Sequence, residues 1–335
     1  MGLYLDNGYL DIEWILSRGY PFNFITSGRG TGKTYGAIKS ALLRSGSFMY
    51  LRRTVAQADM VATSAMSPLS EVALNLGLEL KIESLGKNLS GVWVDEQLRG
   101  YIYSLSTMAN MRGFHDPQLT TIIYDEFIPQ AQERRIKNEG EAWLNAYETL
   151  NRNRELNGAD PIQAVLLSNS NQIVNPLYVE FQLVSVVERM LKKKREVWTD
   201  EKRGYMLVYP MRSEISRAKS STALYQFSGD SEYRQMALSN EFNDWGSEYI
   251  KSQPLREYTP ECRLGELTVY VHKDKGCVYI SEHSSGTVRR FPATVQGVDG
   301  FRRRYRWVLV DYLDGRVIFE NAMCEALFRY YLLKT

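Results

Sequence analysis

The sequence predicts an α/β fold built on a mainly parallel sheet, and three observations predict it. Short apolar runs at Phe22–Thr26, Phe48–Leu51, Thr121–Tyr124 and Ala164–Leu167 are separated by stretches long enough for helical crossovers. The first run leads directly into a glycine-rich loop and then a helical pattern. The third ends in two adjacent carboxylates, Asp125 and Glu126.

Residues 22–34 read Phe-Asn-Phe-Ile-Thr-Ser-Gly-Arg-Gly-Thr-Gly-Lys-Thr, and Tyr35, Ile38 and Leu42 then recur at helical spacing. A Gly-Lys-Thr triplet alone would mark no more than a helix N-terminus. Strand, loop and helix in that order are the context a phosphate-binding P-loop requires. The loop Ser27, Gly28, Arg29, Gly30, Thr31, Gly32, Lys33 and Thr34 is expected to surround a polyphosphate. The glycines let backbone N–H groups turn inward, Lys33 reaches the β/γ oxygens, and the Thr34 hydroxyl ligates Mg²⁺. The usual pattern opens on glycine where this chain has Ser27.

The strand Thr120–Phe127 reads as a Walker B element. Asp125, at its carboxyl end beside the loop, is expected to hold Mg²⁺ through water. Glu126 is expected to orient and deprotonate the water that attacks the γ-phosphate. Two acids capping a surface strand is the plainer alternative, and the P-loop upstream counts against it. A carboxylate directly after the metal-binding Asp argues for nucleotide hydrolysis, and the lack of an Asn-Lys-x-Asp segment favours ATP.

Composition sets the frame for this chemistry. A chain of 335 residues, 44% hydrophobic and 24% charged, suits a globular protein of two domains. The longest apolar runs are strand-length, and Met1–Asp6 lacks both a basic signal region and the Ser/Thr of a myristoylation motif, so a cytoplasmic chain without membrane contact is expected. Cys262, Cys277 and Cys324 lack Cys-x-x-Cys spacing and His115, His272 and His283 are scattered, which argues against a disulfide framework or a zinc site. The net charge of +2 confines any nucleic-acid contact to local basic clusters.

Between the second and third strands, Val92–Val94 and Tyr101–Tyr103 flank a polar turn and predict a hairpin decorating the nucleotide domain. Leu167-Ser168-Asn169 has the character of a sensor strand, in which additional-strand P-loop ATPases use a polar residue to touch the γ-phosphate or its water, and an Asn that ends a strand for a turn is the alternative. From Glu188 the texture changes: Lys192–Arg195 is basic, a polar stretch follows, and 213–242 is helix-prone. The expected organisation is an ATPase domain over 1–195, a linker or lid over 196–245 and a small α+β domain over 246–335. In the last, Glu266–Val271 and Val278–Ser281 flank Lys273–Gly276 as a hairpin. Trp307–Tyr312 and Val317–Glu320 flank Asp314-Gly315 as another, and Ala322, Met323, Ala326, Leu327, Tyr330 and Tyr331 stripe a closing helix.

Several of these segments together carry a family resemblance. Arg29 within the loop, Tyr50-Leu51-Arg52-Arg53, Ile123-Tyr124-Asp125-Glu126-Phe127-Ile128, Arg152-Asn153-Arg154-Glu155, and Leu167-Ser168-Asn169 followed by Asn175-Pro176 occur in order. The chain resembles the genome-packaging ATPases (encapsidation proteins) of small short-tailed bacteriophages with protein-primed DNA, most strongly over residues 20–180. The resemblance implies an additional-strand (ASCE) P-loop ATPase domain, a helical linker and a ribonuclease-H-like domain, as in the large terminases. It implies a homo-oligomeric ring at the portal vertex of a capsid, reached from the host cytoplasm, which drives double-stranded DNA inward. The portal (connector) protein and the DNA would be its partners, with or without a packaging RNA.

Under that resemblance Arg152 matches an arginine finger given to the neighbouring subunit's ATP, with Arg154 in reserve, and a solvated helix face is the alternative for both. Arg29 would contact phosphate or sense the interface. Arg52 and Arg53 either face the same interface or are surface charges. The basic run containing Arg134, Arg135 and Lys137 follows Glu126 and is a candidate grip on backbone phosphates, or a solvated charge run. Lys192–Arg195 and Arg302–Arg306 are further basic clusters. The aspartates a terminase nuclease would need do not obviously converge among Asp274, Glu282, Asp299 and Asp311, so the small domain is expected to be vestigial, binding rather than cutting. Another ring translocase or helicase, or a nucleotide-gated capsid-assembly protein, would share the same loop and carboxylates.

Overall fold

The computed structural model describes residues 2–63, 67–111, 113–129, 133, 136, 138–169, 173–211, 213–219, 221–227, 249–284 and 288–332. The chain divides into two compact units, Met1–Gln172 with Met190–Phe242, and Ile173–Arg189 with Asn243–Thr335.

The first unit is organised by one sheet of nine strands: β1 (Phe22–Thr26), β2 (Ser47–Arg52), β3 (Leu80–Gly86), β4 (Leu89–Val94), β5 (Gln97–Ser104), β6 (Leu119–Asp125), β7 (Gln163–Ser168), β8 (Val197–Asp200) and β9 (Tyr205–Val208). Their order is β3-β4-β5-β2-β6-β7-β1-β9-β8. The four apolar runs read from the sequence are its centre, and each pairs in parallel with the next. They are buried almost throughout, as strands covered by helices on both faces must be. β7 lies between β1 and β6, so one strand separates the glycine-loop strand from the carboxylate strand. This insertion is the additional-strand arrangement.

Local sequence explains the covering helices. Helix Lys33–Leu43 buries Ala37, Ile38, Ala41 and Leu42 in one core with Ile25, Tyr50 and Val165. Helix Pro68–Leu76 begins on a Ser67 cap with proline in its first turn and ends at Gly77 in the left-handed region. On the opposite face Tyr124 stacks on the fully buried Trp143 of helix Glu139–Asn151, centroids 5.1 Å apart.

Two expectations need correction here. β4 and β5 do form the expected hairpin, turning at Asp95 and Glu96 with φ of 47° and 64°, as a tight primed turn demands. The hairpin does not merely decorate the domain, because β5 pairs in parallel with β2 and extends the sheet. The expected boundary at 195/196 also cuts through the sheet: β9 pairs in parallel with β1, and β8 antiparallel with β9. Tyr205–Val208 is buried throughout. The polar stretch that suggested a linker is the turn of this hairpin, where Asp200 accepts the Arg203 N–H. Of the expected helical segment 213–242, helices cover Glu214–Lys219 and Ala223–Phe227, and residues 228–248 lie outside the described residues.

The second unit carries five strands, β10 (Tyr258–Leu264), β11 (Leu267–His272), β12 (Val278–Ser281), β13 (Arg289–Phe291) and β14 (Val317–Phe319), in the order β13-β10-β11-β12-β14. The first three form an antiparallel meander, and β11 and β12 are the expected hairpin about Lys273–Gly276. β13 pairs in parallel with β10, and β14 with β12. The closing helix Ala322–Leu332 buries Met323, Cys324, Ala326, Phe328 and Tyr331, completing an α+β unit. The second expected hairpin is overturned. Arg306–Leu313 is a helix, anchored by buried Val308 and by Tyr312 packed on Phe319 and Phe328. Gly315, at φ +68°, follows the end of that helix and does not join two strands. Burial outranked the strand propensity of its valines.

Candidate active site

The site sits where β1, β7, β6 and β2 end side by side. Helix Lys33–Leu43 starts at Gly32, whose φ of +87° suits glycine, and a Cβ there would lie 3.0 Å from the Tyr9 ring. The loop is tied down from both sides. Ser27 N–H donates to Ser168 O at 3.2 Å, and Leu10 N–H to Thr31 O at 3.0 Å. Its backbone N–H groups and the positive end of an 11-residue helix make an anion site.

Lys33 is only 4% exposed. Its Nζ lies along the loop, donating to Ser27 Oγ at 2.8 Å, Gly28 O at 2.9 Å and Ser27 O at 3.2 Å. Ser27 Oγ also lies 2.6 Å from Thr31 Oγ1. The residue that departs from the usual pattern therefore supplies a hydroxyl that both braces the loop and holds the lysine.

Asp125 faces this loop across β7. Thr34 Oγ1 donates to its carboxylate at 3.3 Å, Tyr50 OH at 2.6 Å and Arg52 Nη1 at 3.2 Å. Burial, then the charge of Asp125, push the Tyr50 phenol well above its ordinary range, so it remains a donor. Glu126, at φ +58°, takes Arg52 Nη2 at 2.5 Å. Burial opposes the Arg52 charge, but Asp125, Tyr50 and Glu126 outweigh it and raise its pKa. One guanidinium thus bridges both Walker B carboxylates.

The reverse face of the same strands holds a second ionic group. Arg53 is 0% exposed and grips Glu139 with Nε at 2.7 Å and Nη2 at 2.9 Å, while Nη1 reaches Glu133 at 2.6 Å. Tyr124 OH donates to the same Glu139 at 3.0 Å. Burial opposes the Arg53 charge, and its bonds to Glu139 more than offset this and raise its pKa.

The structure thus brings together Ser27, Thr31, Lys33, Thr34, Asp125 and Glu126. Asn169 follows β7 directly and is half-buried between the loop strand and the carboxylate strand. Arg29 lies exposed on the loop. Arg152 caps the end of helix Glu139–Asn151, is exposed, and donates to Phe114 O at 2.6 Å, while Arg154 donates to Pro117 O at 2.7 Å. Arg134, Arg135 and Lys137 lie outside the described residues. Arg52 is largely buried and Arg53 fully so, which overturns the reading of them as surface charges. Sequence reasoning missed Tyr50 and Arg52 as partners of the carboxylates. The available signal was position: both end a strand that pairs in parallel with the carboxylate strand, Leu51 opposite Tyr124.

In the second unit, Asp299 pairs with Arg302 and Asp311 with Arg316. Among the described residues Glu282, Glu320 and Cys324 do approach one another, but Glu320 is already engaged by Ser281 Oγ at 2.6 Å and His283 Nε2 at 3.1 Å.

The family model described as podovirus DNA encapsidation protein (Gp16) matches residues 6–299. A DNA packaging protein of Bacillus phage B103 is 24% identical, with 93% of this chain and 97% of that protein covered. One from Bacillus phage phi29 is 27% identical, with 92% of each covered. A chain of the bacteriophage Phi-29 viral genome packaging motor assembly superposes with a TM-score of 0.63 at 20% identity, covering 99% of this chain and 98% of its own. A chain of the Phi-28 gp11 DNA packaging motor gives 0.69 at 16% identity, covering 98% and 99%. These two share the fold along nearly the full length.

Proposed function

The chain belongs to the podovirus DNA encapsidation protein family, and from that premise we propose that it is the ATPase of a genome-packaging motor, hydrolysing ATP to drive double-stranded DNA through a portal into a preformed capsid. The observation that carries this reading is the joining of Lys33, Thr34, Asp125 and Glu126 at one end of an additional-strand sheet.

The loop N–H groups and helix N-terminus receive the polyphosphate, and Lys33 exchanges Gly28 and Ser27 carbonyls for more highly charged phosphate oxygens. Thr34 and Asp125 offer a hydroxyl and a carboxylate 3.3 Å apart, an oxygen donor pair that suits Mg²⁺. Bound there, Mg²⁺ would supply charge neutralisation at the β and γ oxygens. Glu126 takes the proton of the attacking water once Arg52 lets it turn toward the nucleotide. Asn169, at the end of the strand between loop and carboxylates, touches the γ-phosphate or its water. Arg152 serves the site of a neighbouring subunit, and a head-to-tail contact that closes makes a ring.

The ring works on duplex DNA at the portal vertex, from the host cytoplasm. No helix among the described residues is long and apolar enough to cross a membrane. The second unit binds rather than cuts, consistent with Asp299 and Asp311 each being tied to an arginine. Steady-state ATP hydrolysis without nucleic acid, with duplex DNA and with single-stranded DNA tests the reading. Stimulation by duplex that fades with salt is expected. Stimulation by single strands alone would make the chain a helicase, and indifference to both would leave an assembly ATPase or a motor silent without its portal.

A further inference from the structure

Neighbouring side chains on a strand point to opposite faces. Arg52, the last residue of β2, accordingly turns to Asp125 and Glu126, and Arg53, next along the chain, turns the other way, to Glu139. On β6, Asp125 faces the phosphate loop while Tyr124 joins Arg53 on Glu139. Glu139 is the first residue of the helix whose far end is capped by Arg152. Two consecutive residues at the end of each strand thus link the hydrolytic carboxylates on one face to the arginine-bearing helix on the other.

Adhesion alone does not account for this cluster. Burying a guanidinium and a carboxylate costs more desolvation than well-packed apolar side chains of the same size would. What the pair adds is direction, since a planar fork making two N–H···O bonds to one carboxylate fixes position and angle together. The stack of Tyr124 on Trp143 fixes the same helix one turn further along.

We propose that Arg53 is a positioning residue for hydrolysis: its grip on Glu139 couples the arrangement of Arg52 and Glu126 to the helix Glu139–Asn151 and so to the placing of Arg152. The inference rests on the ATPase reading above. When Arg52 shifts with the nucleotide state, Arg53 shifts with it as its chain neighbour, and the helix follows because its first carboxylate is held by both Arg53 and Tyr124.

The test uses the full chain in six forms: wild type, Arg152→Ala, Glu139→Gln, Arg53→Met with Glu139→Gln, and each of the last two combined with Arg152→Ala. Gln keeps an acceptor for Tyr124 OH, and the Arg53→Met pairing removes the orphaned charge should the single change fail to fold. Fluorescent-nucleotide affinity is expected to stay within about twofold of wild type in the folded variants, and the melting temperature of the Arg53→Met, Glu139→Gln form within a few degrees, while kcat falls by roughly tenfold or more, the scale of a misplaced catalytic group. Once Arg152 is gone, Glu139→Gln is expected to cost little further, because coupled residues are not additive. A folded variant with unchanged kcat, or losses at Glu139 and Arg152 that multiply independently, would overturn the proposal. A wild-type chain that binds no nucleotide and hydrolyses none would remove the ATPase reading itself and this inference with it, an outcome distinct from a variant-specific null.

Discussion

Arg52 Nη2 lies 2.5 Å from Glu126 Oε2 while Nη1 of the same guanidinium lies 3.2 Å from Asp125 Oδ2. The residue expected to activate water is therefore held by an ion pair that also touches the residue expected to hold the metal. With Glu126 as the water-activating base, such a bridge would restrain hydrolysis, because Glu126 cannot both pair with Arg52 and approach a water over the phosphate loop.

Arg52→Gln should accordingly raise DNA-independent kcat several-fold and reduce the further gain on adding duplex. It should also lower stability, by about 1–3 kcal/mol, since Asp125 loses a charged partner while keeping Tyr50 and Thr34. Parallel hydrolysis assays with and without DNA check this. A fall in DNA-free kcat in a folded variant would mean that Arg52 assists the reaction instead of restraining it.

Ser27→Gly restores the usual loop pattern and tests what the hydroxyl does. It deletes the 2.8 Å bond to Lys33 Nζ and the 2.6 Å contact with Thr31, but leaves Lys33 on the Gly28 carbonyl. Losing a hydrogen bond to a charged group should cost about 1.5–3 kcal/mol. The KM for ATP should hold or fall, because Lys33 gives up less on turning to phosphate. Calorimetry and initial rates separate the two effects, and a large rise in KM would show that Ser27 contacts the nucleotide itself.

How much of this was legible depends on whether the signal was local. The loop, its helix, the Asp125-Glu126 pair and four central strands are each written in a few consecutive residues. Arg52, Arg53 and Tyr50 were not legible, because their partners on β6 and at Glu139 are set by strand pairing and crossover packing far along the chain. Arg306–Leu313 failed for another reason. Its alternating valines favour a strand locally, and the contacts of Tyr312 with Phe319 and Phe328 decide for a helix. β8 and β9 were hidden by the charged turn between them, whose polarity read as a linker.

Glu325, on the closing helix of the second unit, offers a pH test. Burial raises its carboxyl above the ordinary value, and Arg329, 3.3 Å away, offsets this only in part. A carboxyl whose folded-state pKa is raised favours folding more as pH falls, since the native state then binds the proton more tightly. At neutral pH its ionised form is a burden, so Glu325→Gln should raise the melting temperature by roughly 1–3 °C, a typical increment for relief of a single unfavourable group. The advantage should shrink as pH falls through the raised value and vanish below the unfolded one. A melting temperature lowered at neutral pH would show that the ion pair outweighs burial.

Arg152 donates to Phe114 O within its own chain and, among the described residues, makes no bond to the loop or the Walker B carboxylates. If it acts on a neighbour's nucleotide, Arg152→Ala should cut kcat by ~10³ with little change in ATP affinity, whereas Arg154→Ala should cost far less. Mixing provides the sharper test. Arg152→Ala subunits keep an intact loop and lack the finger; Lys33→Ala subunits keep the finger and lack the loop. Each is inactive alone, but in a head-to-tail ring a Lys33→Ala subunit can serve the loop of an Arg152→Ala neighbour. Random equal mixing should then restore about a quarter of the sites, because a site needs an intact loop and the right neighbour, each present half the time. Recovery of duplex-stimulated hydrolysis on mixing is the expected outcome. No recovery, with both variants shown to co-assemble, would place Arg152 in its own subunit's chemistry and leave the ring without its trans-acting residue.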